Sequence, residues 1–339
     1  MGDQGDSIRI HAPGRVNLIG EHTDYTGGLA VPMAIDRGTT LTATARPGST
    51  RVTSTEVGGA VDIDLPFSGP PSSVDPQWGS FVAAVAAELE STMGFEGHLV
   101  SDIPSSAGLS SSAALMCAVA LALGFDGPPL ELAQRARRAE HAATGVPTGI
   151  MDQYCIAAAR AHHATLIDCH RLSIEHVLIP DDLEIVVRFV AHRTLRGSAY
   201  SDRVDECAQA ESVIGPLRTA TLDDVGRISD RIVRSRARHV VSENQRVRDF
   251  VSALRRGDYQ RLGRLLAASH ASLRDDFDTS TPVMDAAVAG LNATPGVFGA
   301  RMTGGGFGGC LVAIARPGTI TDGWVVRASQ GARALFPNE

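Results

Sequence analysis

Residues 14–25 read GRVNLIGEHTDY. An apolar patch lies between Gly14 and Gly20, with Arg15 inside it and Glu21, His22, Asp24 and Tyr25 crowded behind it. A solvated loop would account for part of that composition. A pocket for a ligand rich in hydroxyls accounts for more, because an arginine, two carboxylates, an imidazole and a phenol are all directional hydrogen-bonding groups.

Around this segment the pattern is that of strands. Ile8, Ile10 and Ala12 alternate with polar residues up to a predicted break at Pro13-Gly14, and 39–45 (TTLTATA) and 51–65 (RVTSTEVGGAVDIDL) predict antiparallel strands rich in Thr and Val. A Pro/Ser/Gly loop at 68–76 precedes a predicted helix over 78–93, with Phe81, Val82, Val85 and Leu89 on one face, and strand character returns at 97–103. The stretch 110–123 (SSSAALMCAVALAL) is apolar nearly all round, the mark of a buried helix. An amphipathic helix over 130–143 stops at Thr144-Gly145, and another opens at Asp152. Beyond residue 180 come a strand at 183–191, a helix-rich region at 201–270 with arginine on its polar faces, and strands at 297–303 and 309–315. Both halves read as α+β, without the βαβ alternation of a dinucleotide-binding fold. At 339 residues the chain exceeds one ordinary core, so two domains are expected, 1–178 and 179–339.

Composition narrows the function. A net charge of −7 argues against a broad nucleic-acid surface. The chain contains no lysine, which excludes Schiff-base and pyridoxal-phosphate chemistry and any GxxxxGK[ST] phosphate loop. Phosphate, if handled, must meet backbone amides, arginine and metal. The five cysteines, Cys117, Cys155, Cys169, Cys207 and Cys310, form no CxxC pair and predict buried free thiols in a reducing cytoplasm. No apolar run of membrane-spanning length occurs, and the acidic start MGDQGDSIRI has no secretory n-region, so neither a membrane nor a secretory route is expected. The run from Arg227 to Arg248 reads as a solvated helix face, and His162-His163 as a surface pair.

A second element can hold phosphate without lysine. Residues 104–113, PSSAGLSSSA, follow a strand and open the buried helix. A helix N-terminus offers unpaired N–H groups and about half a positive charge, Gly108 permits a tight turn, and Ser110, Ser111 and Ser112 can cap the helix. Glu140 stands near the C-terminal end of its helix, where a carboxylate is unfavourable unless compensated; a magnesium ion shared with a serine hydroxyl would compensate it. Asp152 could cap a helix or accept a proton from a substrate hydroxyl. Residues 301–310, RMTGGGFGGC, carry more glycine than a turn requires, as in a loop that approaches a ligand or another loop closely.

In this order, GRVNLIGEHTDY, PSSAGLSSSAA, EHAATGVPTGIMDQ and MTGGGFGGC resemble the GHMP sugar and metabolite kinases, and the first motif resembles the galactokinases among them. Residues 194–207 (TLRGSAYSDRVDEC) and 269–277 (SHASLRDDF) agree. The resemblance implies a two-domain GHMP kinase fold, with a ribosomal protein S5 domain 2-like N-terminal domain and an α/β-plait-like C-terminal domain. It implies transfer of the γ-phosphoryl of ATP to the C1 hydroxyl of galactose, with Mg²⁺ as cofactor and only small-molecule partners. By the same resemblance Arg15 and Asp152 are catalytic. Glu21 and His22 face the C6 hydroxyl, Asp24 faces ring hydroxyls, and Gly149, Asp152 and Tyr200 complete the sugar site. Ser106, Ala107, Gly108, Leu109, Ser110, Ser111 and Ser112 cradle the nucleotide phosphates, Ser112 and Glu140 hold magnesium, and Trp78 and Phe81 flank the adenine. Two departures stand out: Ser106 replaces a usual glycine, and Thr148 replaces a frequent cysteine, a change expected to be silent. Related sugar-1-kinases acting on N-acetylgalactosamine, arabinose or galacturonate, and a non-catalytic sugar sensor, are the alternatives.

Overall fold

Strand β1 (Ile8–Ile19) runs straight through Pro13-Gly14 into the apolar half of the opening motif. The computed structural model describes residues 7–104, 107–192 and 198–335. After a short 3-10 turn at Asp24–Thr26 come β2 (Leu29–Pro47), β3 (Ser49–Ser54), β4 (Ala60–Asp64), α1 (Gly79–Glu88), β5 (Met93–Ser101), α2 (Ser111–Ala122), α3 (Pro129–Thr144) and α4 (Met151–Ala158). Then follow β6 (His163–Asp168), β7 (Ser173–Leu178), β8 (Glu184–Ala191), α5 (Ser198–Ile214), α6 (Leu222–Val225), α7 (Arg231–Arg256), α8 (Tyr259–Asp275) and α9 (Pro282–Asn292). The chain closes with β9 (Val297–Thr303), β10 (Gly309–Ala315), β11 (Trp324–Val326) and β12 (Arg333–Leu335).

Two sheets result. The larger has the order β12-β1-β2-β5-β3-β4, with β6 joining the start of β2 and β7 pairing β6; the smaller has the order β11-β8-β10-β9. Only β3 and β5 pair in parallel among the described strands. The expected α+β class therefore holds. The alanine-rich helix α2 packs against α1, α3, α4, β1 and β2 at once. Its residues Ala113, Ala114, Ala118 and Ala120 are buried, and such small side chains let the neighbours approach closely. A second core gathers Cys207, Leu273, Phe277, Met284 and Met302 between the later helices and the smaller sheet.

Several expectations are corrected. The break foreseen at Pro13-Gly14 is a register shift inside one strand. A side chain at 14 would meet the Leu109 carbonyl, and the Arg15 amide donates to that same carbonyl at 3.1 Å, so the loop before α2 docks directly on β1. The helix foreseen over 78–93 ends at Glu88, and Met93 already lies in β5. The run 227–248 is not merely a solvated face: Arg236, His239, Glu243 and Asn244 of α7 are buried. Strand β12, near the end of the chain, pairs antiparallel with β1 of the larger sheet. The cysteines are all free; four are buried and Cys169 is partly so. Among the described residues no helix is long and apolar enough to cross a membrane.

Candidate active site

The end of β1, the start of α2, the end of α3, the start of α4, the first turn of α5 and the loop between β9 and β10 meet around one cavity of about 630 Å³. Its lining includes Arg15, Glu21, His22, Asp24, Gly108 through Ser112, Glu140, Gly149, Asp152 and Tyr200. Residues separated by as many as 292 positions in sequence, from Arg15 to Phe307, thus face one space.

At its centre Arg15 clamps Asp152. The guanidinium donates Nε–H to Oδ1 at 2.6 Å and Nη2–H to Oδ2 at 2.7 Å, a bidentate pair, while Nη1–H donates to the Gly108 carbonyl at 2.7 Å. One side chain therefore ties the loop before α2 to the carboxylate of α4. Burial opposes the charge on Arg15, but the Asp152 carboxylate outweighs it and raises the arginine further, so Arg15 stays cationic. Asp152 keeps 30% of its side chain exposed, toward the cavity.

Ser110 corrects another expectation. It precedes α2 with a left-handed backbone, φ 61°, and its hydroxyl makes no cap bond. It donates instead to Asp152 Oδ2. Asp152 likewise caps nothing; it lies in the first turn of α4, behind Ile150.

Glu140 is compensated by protein groups. Ser112 Oγ–H donates to its Oε1 at 3.1 Å, and Thr148 Oγ1–H and Gln153 Nε2–H donate to Oε2 at 3.0 and 2.7 Å. Thr148 is thus not a silent replacement. Burial, and then the nearby Asp152 charge, raise the Glu140 pKa against these three donors. Glu140 and Ser112 present hard oxygen ligands side by side, the donor chemistry that suits magnesium. Among the described residues no group of three or more His, Cys, Asp or Glu forms a metal site of another kind.

The opening motif builds the other wall. Glu21 is buried; its Oε1 accepts the Gly304 amide at 2.7 Å and the Thr303 hydroxyl at 3.3 Å, and Arg301 Nη2 lies 3.3 Å from it. His22, with φ 60°, places Nδ1 3.2 Å from the Tyr25 hydroxyl and packs its ring on Phe277 and Tyr200, with centroids at 4.6 and 5.6 Å. Tyr25 and Tyr200 meet edge to face at 5.8 Å. Burial, with Asp152 as the next contributor, pushes the Asp24 carboxyl up to about 6. Gly149 packs directly on Asp24: any Cβ at 149 would collide with the Asp24 carboxylate, so only glycine lets this wall close.

Trp78 and Phe81 do not line the cavity: Trp78 precedes α1 and donates its indole N–H to the Gly58 carbonyl at 3.3 Å, and both rings pack against the larger core. Both side chains stay partly exposed. Ser106, with Ser105, lies outside the described residues, while Ala107 is buried beside the cavity-lining Gly108. Thr148, Gln153, His192 and Phe307 line the cavity without having been foreseen. Gln153 could have been found as the neighbour of Asp152, and Phe307 as the aromatic residue inside the glycine run.

Comparison with known proteins finds matches along the chain. The galactokinase galactose-binding signature matches residues 1–45, the GHMP kinases N terminal domain matches 80–160, and the GHMP kinases C terminal domain matches 250–322. A galactokinase of Roseiflexus sp. (strain RS-1) is 39% identical over 92% of this chain and 84% of its own length. The chain belongs to the galactokinase family. The human galactokinase is also 39% identical, over 91% of this chain and 83% of its own length. In three dimensions, Lactococcus lactis galactokinase, solved in complex with galactose, superposes with a TM-score of 0.92 at 31% identity, covering 99% of this chain and 97% of its own. The mevalonate kinase of Methanococcus jannaschii shares the fold, with a TM-score of 0.68 at 20% identity over 94% of this chain and 93% of its own. Membership carries ATP use with it, as in the family at large.

Proposed function

We propose that the chain transfers the γ-phosphoryl group of ATP to the C1 hydroxyl of D-galactose, and that Arg15 and Asp152 form the reacting centre. The observation that carries this reading is the Arg15 bridge, which joins the phosphate-loop carbonyl of Gly108 to the Asp152 carboxylate inside the cavity that Glu21, Asp24 and Tyr200 also line. Phosphoryl transfer asks for positioning and charge neutralisation more than for covalent help.

The amides at the start of α2 hold the phosphates, with Gly108 to Ser112 along the cavity wall. Ser112 and Glu140 would hold magnesium, which when bound neutralises phosphate charge. Arg15, permanently cationic, stabilises charge between donor and acceptor. Glu21, His22, Asp24 and Tyr200 receive the sugar hydroxyls, Glu21 and His22 at the hydroxymethyl end and Asp24 at the ring. Fixed acceptors of this kind discriminate epimers, because a misplaced or missing hydroxyl leaves a buried partner unpaired. Asp152 already accepts two guanidinium N–H groups and the Ser110 hydroxyl. That supports an orienting carboxylate which takes the C1 proton late, once transfer is advanced. The two-domain division with the site at the seam is part of the same reading: His192, Tyr200 and residues 304–307 come from the later half, the remaining lining groups from the earlier one.

The test is a panel of galactose, N-acetylgalactosamine, arabinose and galacturonate with labelled ATP and magnesium, read as sugar 1-phosphate. Galactose is expected to be the preferred acceptor. Asp152→Asn is expected to lower kcat by about 10²- to 10⁴-fold. Turnover near the wild-type rate in that variant would remove Asp152 from the chemistry.

A further inference from the structure

The turn that carries Glu21, His22 and Asp24 is fastened from behind by α7, a helix of the later half. His239, Glu243 and Asn244 of that helix are buried, at 0%, 0% and 2% exposure; His239 and Glu243, four residues apart, share one face, and Asn244 follows directly beside it. Glu243 Oε1 accepts the Gly20 amide at 3.0 Å and the Ser269 hydroxyl at 2.6 Å, and its Oε2 accepts Arg246 Nε–H at 2.6 Å. His239 Nε2–H donates to the Glu21 carbonyl at 3.1 Å, and its Nδ1 lies 3.0 Å from Ser272 Oγ. Asn244 Oδ1 accepts the Leu29 amide at 2.8 Å. The backbone between Gly20 and Leu29 is thus gripped at both ends by one helix.

The charge states fit that task. Burial alone would raise the Glu243 carboxyl, but Arg246, His239 and Arg301 hold it down at about 2. Burial keeps His239 at about 4, so the ring is neutral near pH 7 with one proton to donate. Arg301, wholly buried, donates Nη1–H to the Leu18 carbonyl at 3.0 Å and sets Nη2 3.3 Å from Glu21 Oε1. A buried carboxylate costs free energy unless it is fully partnered, and an apolar side chain would fill the same space more cheaply. What Glu243 adds is a fixed acceptor for the amide next to Glu21.

We infer that Glu243 is a positioning residue for the sugar: by anchoring the Gly20 amide it sets where Glu21 and His22 stand, and so sharpens discrimination at the hydroxymethyl end of the hexose. The inference rests on the reading of this turn as the sugar wall. It goes beyond that reading in assigning specificity to a helix that touches no substrate.

Galactose and 6-deoxygalactose, compared at saturating MgATP, test it. Glu243→Ala is expected to raise the galactose KM about tenfold and to lower the galactose-to-6-deoxygalactose preference in kcat/KM by about as much, with the ATP KM within about twofold of wild type. Glu243→Gln, which keeps a carbonyl oxygen for Gly20, should recover most of both losses. Ser269→Ala leaves the charge in place and should shift the galactose KM the same way by about two- to threefold; it carries the test if Glu243→Ala does not fold. Parallel rises in both KM values, or an unchanged sugar preference, would show Glu243 to be purely structural and overturn the inference. A wild-type enzyme that treats the two sugars alike would remove the sugar-wall reading itself, and the inference with it.

Discussion

Asp24 lines the cavity and titrates well above an ordinary carboxyl. Its carboxyl, pushed from the usual 3.8 to about 6 by burial and then by Asp152, is protonated below that pH and loses acceptor capacity toward ring hydroxyls. The galactose KM should therefore rise as pH falls through about 6, by up to about tenfold per unit, and Asp24→Asn should abolish that limb in a steady-state pH series. The sign for stability is the reverse. The folded chain keeps this proton where the unfolded chain has lost it, so the cost of Asp24 grows as pH rises from 3.8 to about 6 and is complete above. At this scale the residue types around the site were legible, because hydroxyl recognition demands Glu, His, Asp and Tyr. Their partners were not. Ser110 reads as a helix cap and proves to donate to Asp152, and Thr148 reads as neutral and proves to hold Glu140.

At the scale of elements, helix α2 and strand β9 make the same point in different ways. The all-apolar pattern of α2 announced its burial, and it is enclosed by helices α1, α3 and α4 and strands β1 and β2. Strand β9 was foreseen at its observed bounds, Val297–Thr303, yet what presses α8 against it was not. Gly263 of α8 sits directly on the Phe298 carbonyl, leaving no room for a Cβ. Gly263→Ala should push the helix off the strand that leads to Arg301 and the glycine loop. A loss of about 1–3 kcal/mol in stability is expected, read by denaturant unfolding; an unchanged midpoint would show that the contact yields freely.

For the whole molecule, the decisive feature is that the chain returns. Beyond β11 the backbone laces onto the first half: Ser329 N–H donates to Ala34 O at 2.9 Å, Gly331 N–H to Ala159 O at 2.9 Å and Ala332 N–H to Ile156 O at 2.8 Å, before β12 pairs with β1. This segment covers an edge of the larger sheet and touches α2. A chain ending at residue 328 should melt at lower temperature and associate with rising concentration, because the β1 edge is left unpaired. Differential scanning and light scattering across a concentration series would register both effects, and a monomer of wild-type stability would exclude the clasp.

Composition, periodicity and motif order were enough to determine an α+β chain of the galactokinase family, and to single out a serine- and glycine-rich segment without lysine and a polar motif near the start. These follow from local physics: alternation makes strands, an apolar run makes a buried helix, and hydroxyl or phosphate ligands require particular donors and acceptors. The tertiary structure alone decided that Arg15 holds Asp152 by two hydrogen bonds, that α7 fastens the turn after β1 from behind, that Trp78 and Phe81 pack against the larger core, and that β12 joins β1. Each of those is a contact between segments far apart in sequence, fixed by how sheets and helices pack, and packing leaves no periodic signature in the chain.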